Sequence, residues 1–249
     1  MTTAKVALIS GGTSGIGLAT ARLLVETGWH VVLLGRNLQR GREALHLLQT
    51  SAATADFIAC DVTDDKACAK AIEQTITQYG RLDGLVTSAG VYEERLLENT
   101  TEADVTRLFS VNVYGTISLC RYALPHLKKT QGSIVTVSSD AGLQGNIACS
   151  LYGATKGAVV AFTKSLALEA APHQVRVNCV CPGDVDTPML ENQLAKSQDL
   201  TRDAIREQYP LYRIATAEEV GQAIVFLLSN KASFITGIAL PVDGGLTSW

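Results

Sequence analysis

Seven short runs of β-branched and aliphatic residues alternate with longer segments of helical period, and this alternation leaves few folds open to the chain. The runs fall at 5–9 "KVALI", 31–34 "VVLL", 56–60 "DFIAC", 82–87 "LDGLVT", 133–138 "SIVTVS", 175–181 "VRVNCVC" and 238–242 "IALPV". A near-continuous apolar strand is what a parallel sheet buried on both faces requires. The intervening spacing predicts helices over about 15–27, 39–50, 64–79, 101–128, 152–171 and 217–228. The expected fold class is α/β, a doubly wound parallel sheet of about seven strands with helices on both faces. A ligand is expected at the carboxyl ends of the strands, near the switch in strand order. The stretch 183–212 is polar, breaks the rhythm, and is expected to be a mobile flap over the substrate.

Composition closes off other classes. With 249 residues and no compositional break, one domain over 1–249 is expected. A single fold of that length buries roughly three-quarters of its unfolded surface. Net charge is −3, from 21 Lys+Arg against 24 Asp+Glu, with no run of like charge, so neither nucleic acid nor a membrane surface is an expected partner. No charged-then-apolar leader precedes the first run, and the apolar stretches are shorter than a membrane span. A soluble, cytoplasmic protein is expected. Cys60, Cys68, Cys120, Cys149, Cys179 and Cys181 form no Cys-x-x-Cys, and the four His add no ligand spacing, so no metal is expected. Cys179 and Cys181, two apart on a strand, should share a face.

After the first strand comes "SGGTSGIG", with Gly11, Gly15 and Gly17 opening a helix. Glycines let backbone turn tightly against a pyrophosphate, and the following helix N-terminus offers free N–H groups. At the end of the second strand, Asp or Glu would accept from a ribose 2′-OH and repel a 2′-phosphate. Here stand Gly35, Arg36 and Asn37, and a guanidinium suits a phosphate dianion. NADP(H) is therefore favoured, with NAD(H) as the alternative.

Tyr152 and Lys156 are four apart at the start of a long apolar helix and so share a face. A phenol titrates near pH ~10, too high for efficient proton transfer at neutral pH. An ammonium beside it, and a positive nicotinamide ring, would favour the phenolate. Ser139, thirteen residues before Tyr152, is placed to meet a substrate oxygen. A hydrolase reading fails because there is no G-x-S-x-G elbow and no His to activate Ser139.

Together these segments resemble the short-chain dehydrogenase/reductase family, the branch of about 250 residues with one Rossmann-like domain. The resemblance runs through "SGGTSGIG", "CDVTD" at 60–64, "TSAG" at 87–90, "VNVYGT" at 111–116, "NCVCPGDVDTPM" at 178–189 and "ITGIALPVDGG" at 235–245. It implies Tyr152 as general acid in reduction and base in oxidation, and Lys156 as the group that lowers its pKa and holds the nicotinamide ribose. Ser139 would orient the substrate oxygen, and Asn112 would hold a water relaying protons to Lys156. Thr13, Ser14 and Ile16 would join the glycines around the pyrophosphate. Arg36 and Asn37 would take the adenosine ribose, and Asp61 and Val62 the adenine. Ala89 and Gly90 would leave room for the cofactor. Val185 and Thr187, after Pro182 and Gly183, would hold the carboxamide. The resemblance further implies a homotetramer, with helix 152–171 and the C-terminal segment ending at Trp249 in the contacts.

There are departures from the family pattern. Ser10 replaces the usual Thr, and "TSAG" replaces Asn-Asn-Ala-Gly, where Thr87 and Ser88 offer shorter hydrogen-bonding groups. Ser14 replaces a basic residue often present in NADP-preferring members. Candidate substrate residues are Asp140, Leu143, Gln144, Asn146, Cys149, Asp184 and Met189, with Tyr92 and Glu93. The polar mix suits a hydroxylated or sugar-like carbonyl. Three functions remain: a reductase of a small ketone or its reverse, a 3-oxoacyl-acyl-carrier-protein reductase docking through Lys128 and Lys129, and a non-catalytic cofactor-binding regulator. His173, where carrier-protein reductases tend to place Arg, weakens the second.

Overall fold

The structure is a computed structural model that describes residues 4–49, 54–196 and 200–248. Trp249, expected at a subunit contact, lies outside the described residues. In chain order the elements are β1 (Val6–Ser10), α1 (Gly15–Glu26), β2 (His30–Gly35), α2 (Leu38–Leu47), β3 (Ala55–Ala59), α3 (Asp65–Tyr79) and β4 (Gly84–Thr87). There follow α4 (Glu102–Phe109), α5 (Gly115–Thr130), β5 (Ser133–Val137), α6 (Ser150–Ala170), β6 (Arg176–Pro182) and β7 (Val185–Asp186). The last are α7 (Pro188–Lys196), α8 (Arg202–Arg206), β8 (Ala215–Thr216), α9 (Ala217–Leu228) and β9 (Ala239–Val242).

Seven strands form one parallel sheet in the order β3-β2-β1-β4-β5-β6-β9, and β7 pairs separately with β8. The order reverses between β1 and β4, so the crevice beyond their carboxyl ends lies between diverging connections. Alternate β1 residues face opposite layers. Leu8 packs with Val32, Leu119, Leu127 and Leu166 beneath α5 and α6. Ile9 packs with Leu33, Leu24, Val220 and Ile224 beneath α1 and α9. Each fully buried aliphatic side chain contributes roughly 1.5–3 kcal/mol, which is why these strands show no polar alternation.

Local chemistry ends the helices where the sequence asks. The Asp64 carboxylate accepts from the N–H groups of Lys66 and Ala67, and Gly80 closes α3 at φ 73°. Reciprocal capping boxes open α4, through Thr101 and Asp104, and α9, through Thr216 and Glu219. Arg176, at the start of β6, donates to the carbonyls of Leu227, Leu228 and Ser229 and so covers the C-terminal end of α9.

One expectation changes. The helix expected over 101–128 is interrupted by a π-helical turn at Ser110–Tyr114, so α4 and α5 are separate pieces in one run. The stretch 183–212, expected as a polar flap, contains helices α7 and α8, whose Leu190, Ile205 and Tyr209 form a small apolar cluster of their own. Cys179 and Cys181 share a face, with sulfurs 3.9 Å apart, and all six cysteines are free and buried.

Candidate active site

A cleft of about 940 Å³ opens along the carboxyl edge of the sheet, lined by the loops after β1, β2, β4, β5 and β6. That size lies toward the upper end of small-molecule and cofactor sites, roughly 300–1,000 Å³.

The loop after β1 supplies Gly11, Thr13, Ser14, Gly15 and Ile16 to its wall. Gly11 has φ 65°, and a Cβ there would stand 2.8 Å from the Ala89 nitrogen. Gly17 does not line the cleft. A Cβ on it would lie 2.4 Å from the Gly11 carbonyl oxygen, so this glycine lets α1 press against the loop rather than meeting a ligand. Ser14 makes no side-chain cap to α1, leaving the first-turn N–H groups uncapped by side chains.

At the end of β2, the Asn37 side chain accepts from the Arg40 N–H at 3.0 Å and caps α2. Arg36 is exposed and lies 3.9 Å from the Asp61 carboxylate. Burial pulls the Asp61 carboxyl upward, but hydrogen bonds from Thr63 and the Arg36 charge hold it below its usual range. Val62 completes this end, together with Arg40, which was not among the expected residues. Arg40 stands four residues after Arg36, and that spacing, one turn into the helix, was the signal for it.

Across the switch point, Ala89 donates its N–H to Ser10 Oγ at 3.2 Å. The serine in place of the family's usual threonine thus anchors the loop after β4. Thr87 gives no such support, since its buried hydroxyl has no hydrogen-bond partner among the described residues. A Cβ on Gly90 would meet only Asn112 Oδ1 at 3.5 Å and Lys156 Nζ at 3.7 Å, so the glycine keeps the approach to Lys156 open.

The first turns of α6 bring Tyr152 and Lys156 into the middle of the cleft, opposite Ser139 at the end of β5. Lys156 donates to the Val137 carbonyl at 3.1 Å, with its Nζ 5.6 Å from the Tyr152 ring centroid. Burial pushes the ammonium down to about 8. Burial also raises the Tyr152 phenol above its ordinary value; Ser139 opposes this, and the charges of Asp140 and Asp184 add to it. Desolvation of this 7% exposed phenol is the largest of these influences.

Asn112 lies in the π-helical turn and does not line the cleft. Its Oδ1 accepts from the Val91 N–H at 2.9 Å, while its Nδ2 donates to the Val91 carbonyl and Thr155 Oγ1, both at 3.0 Å. The carboxamide thus holds the backbone just after Gly90.

The far end of the cleft contains Asp140, Gln144, Asn146, Cys149, Asp184 and Met189, with Tyr92. Two expected residues are absent from it. Leu143 does not line it, and Glu93 pairs with Arg95 at 2.6 Å and with Arg107. Glu94 lines the cleft in its place. In extended backbone, residues two apart face the same way, so the position of Tyr92 already carried the signal for Glu94. Gln193 and Gln208 also line this end without a sequence signal. Tyr209 donates to Asp184 Oδ2 at 2.8 Å, and its oxygen takes the Asp184 N–H. Burial raises the Asp184 carboxyl despite that bond, and the charges of Asp140 and Glu94 add to the rise.

Pro182, Gly183, Val185 and Thr187 connect the two ends. Thr187 donates to the Val185 carbonyl at 3.2 Å, and its methyl faces Gly15 of the first loop. Lys128 and Lys129 belong to the last turn of α5, which feeds the amino end of β5, so they lie at the sheet edge opposite the cleft.

The family model described as Enoyl-(Acyl carrier protein) reductase matches residues 11–247. The chain belongs to the short-chain dehydrogenase/reductase family. It is 40% identical to the L-fucose dehydrogenase of Oryctolagus cuniculus over 97% of this chain and 84% of that one. It is 38% identical to carbonyl reductase family member 4 of Xenopus laevis, over 97% and 98% of the two chains. A solved structure described as ElxO with NADP bound superposes with a TM-score of 0.93 at 34% identity, covering 99% of this chain and all of that one.

As a short-chain dehydrogenase/reductase, the chain is an NAD(P)-dependent oxidoreductase. Its own geometry fits such a cofactor: a glycine turn against an uncapped helix N-terminus at one end, and an open approach over Gly90 to Lys156 in the middle. Among the described residues, no cluster of His, Cys, Asp and Glu fits a metal ion, and no helix is long and apolar enough to cross a membrane.

Proposed function

We propose that this short-chain dehydrogenase/reductase transfers a hydride between NADP(H) and the carbonyl or secondary alcohol of a small, neutral, hydroxyl-bearing molecule. The observation that carries the reading is the polarity of the cleft. Its charged lining residues at the nucleotide end are Arg36, Arg40 and Asp61, whereas at the substrate end they are Glu94, Asp140 and Asp184, all carboxylates, with Tyr152 and Lys156 between.

Gly11, Thr13, Ser14, Gly15 and Ile16 would hold the pyrophosphate, with Gly17 supporting the turn from behind. Arg36, Arg40 and the N-terminus of α2 would hold the 2′-phosphate, which favours NADP(H) over NAD(H). Asp61, Val62, Ala89 and Gly90 would border the adenosine; Pro182, Gly183, Val185 and Thr187 would border the nicotinamide. When bound, the cofactor supplies or accepts the hydride.

Tyr152 gives its phenolic proton to the substrate oxygen in reduction and takes it back in oxidation. Lys156 holds positive charge beside the phenol, and together with a positive nicotinamide it offsets the desolvation that raises the Tyr152 pKa. Asn112 fixes the Val91 backbone, and with it Tyr92. The carboxylates and amides at the far end accept and donate to substrate hydroxyls. The name of the rabbit relative, an L-fucose dehydrogenase, supports a sugar-like substrate.

A carrier-protein reductase is the second reading, supported by the description of the matching family model. Among the described residues an anionic phosphopantetheine arm meets three carboxylates and no cation at the substrate end, which argues against it. The machinery around Tyr152 argues against a non-catalytic regulator. A homotetramer in the cytoplasm is the assembly and location proposed with this activity. The test is steady-state activity with NADPH, NADH, NADP⁺ and NAD⁺ across aldoses, secondary alcohols, ketones, diketones and 3-oxoacyl thioesters. Turnover only with the thioesters overturns the substrate class. Equal or tighter use of NADH overturns the cofactor assignment.

A further inference from the structure

Ser139 has one proton to give, and the structure shows where it goes. A serine hydroxyl has one donor and two acceptor positions. Ser139 Oγ donates to Asp140 Oδ1 at 2.6 Å and accepts from the Ala141 N–H at 3.2 Å. The other Asp140 oxygen takes Asn146 Nδ2 at 2.9 Å, which fixes the carboxylate in place. Both Ser139 and Asp140 are 8% exposed, so water competes little for either group. What Ser139 has left for a further partner is one lone pair, with the Tyr152 phenol within hydrogen-bonding reach of the hydroxyl.

We propose that Asp140 is a positioning residue that turns the Ser139 hydroxyl into a hydrogen-bond acceptor toward the substrate, so that the site holds an alcohol in preference to the corresponding carbonyl. The inference rests on the hydride-transfer reading above and adds the state of the substrate oxygen that the resting site selects. A bound alcohol accepts from Tyr152 and donates to Ser139. A bound carbonyl accepts from Tyr152 and finds no second donor unless Ser139 leaves Asp140. Leaving breaks a bond to a charged acceptor, the stronger kind of hydrogen bond, in a site sheltered from water. The neighbouring hydroxyls are engaged elsewhere: Ser138 donates to the Lys156 carbonyl, and the Tyr92 oxygen is turned toward Cys149 and Glu94.

The consequence is a division between binding and rate. The equilibrium constant of the reaction fixes the ratio of forward to reverse kcat/KM when cofactor affinities are unchanged. Asp140 therefore acts on KM and kcat separately, not on that ratio.

Cyclohexanol and cyclohexanone serve as probes on the full chain. Their dead-end complexes, cyclohexanol with NADPH and cyclohexanone with NADP⁺, are titrated calorimetrically, so no turnover is needed. The wild-type protein is expected to hold the alcohol about tenfold more tightly, the equivalent of one net hydrogen bond. Asp140→Ala should shift the ratio of the two dissociation constants toward the ketone by about tenfold, with Asp140→Asn moving it the same way by less. In a Ser139→Ala background, Asp140→Ala should leave the ratio within about twofold, because the effect passes through the serine. Where the alanine variant does not fold, as judged by its melting curve, the asparagine variant and the serine background carry the comparison. A wild-type ratio near one overturns the proposal, as does an effect of Asp140 that survives loss of Ser139, or a site that holds neither probe. Absence of turnover across the substrate panel refutes the hydride-transfer reading and leaves these binding ratios measurable.

Discussion

The Tyr92 and Tyr152 rings meet edge to face, with centroids 4.8 Å apart and planes 77° apart. This T-shaped contact closes one side of the phenol and fixes its direction. Among the described residues the Tyr92 hydroxyl adds long contacts, to Cys149 Sγ at 3.5 Å, Glu94 at 3.2 Å and Gln193 at 3.4 Å. Tyr92→Phe should therefore keep kcat within about threefold, since ring packing is retained. Tyr92→Ala opens a cavity beside Tyr152 and should cost about 3–5 kcal/mol of stability and reduce kcat about a hundredfold through misplacement of the phenol. Urea unfolding and steady-state rates on the two variants check this; equal rates for both would show that the ring does not position Tyr152.

Removing the proton carrier should separate chemistry from binding. Tyr152→Phe preserves the ring contact and should lower kcat/KM by about a thousandfold. The NADPH dissociation constant should stay within about threefold of wild type. Fluorescence titration beside the rate assay gives both numbers on one preparation.

The two arginines at the nucleotide end should act on one phosphate. Arg36→Ala should raise the NADPH dissociation constant about tenfold, and Arg36→Ala with Arg40→Ala about a hundredfold, each lost contact being charge-assisted. NADH should bind within about threefold of its wild-type affinity throughout. A parallel loss for both cofactors would place the arginines away from the 2′ position.

The buried Thr87 hydroxyl has no partner among the described residues and is a cost to the fold. Thr87→Val keeps a β-branched shape on β4 and should stabilise the protein by about 1 kcal/mol, or roughly 2–4 °C in Tm for a chain of this size. Differential scanning calorimetry decides it, and a lower Tm would mean the hydroxyl is satisfied in solution.

Acid should loosen the start of α9. Hydrogen bonds from Arg213, then the Thr216 N–H, pull the Glu219 carboxyl down from its ordinary 4.5 to about 2. A carboxyl with a lowered folded pKa contributes stability that is present above pH 4.5 and lost as pH falls from there toward 2. The side chain is 37% exposed, so solvent screening keeps the contribution small. Glu219→Gln retains the capping-box geometry and should flatten the fall in urea midpoint between pH 5 and pH 3 relative to wild type.

The sheet was legible because strands buried on both faces carry uninterrupted apolar runs, and each of the seven runs became a strand of the parallel sheet. Most of the helix ends expected from spacing fall within a residue or two of the observed ones. What escaped was long-range. The expected helix over 101–128 has the right period on either side of Ser110–Tyr114, and a single inserted residue leaves no local mark. Asn112 stands out in the sequence, but its partner Val91 lies twenty-one residues away. Glu93 turns from the cleft to pair with Arg95 and with Arg107, the latter fourteen residues away. Tyr209 was invisible because its signal is the distant Asp184.

The π-helical turn at Ser110–Tyr114 makes angular phase a structural variable. One extra residue in a helix rotates everything beyond it by about 100°. Because of that offset, Leu108 of α4 faces Ala141 and Tyr152, while Leu119, Ala123 and Leu127 of α5 face the sheet. The run thus works as a two-cam shaft, with one lobe bearing on the chemistry and the other on the core. Deleting a single residue between 110 and 114 would leave both apolar stripes intact in composition yet throw them out of time with each other.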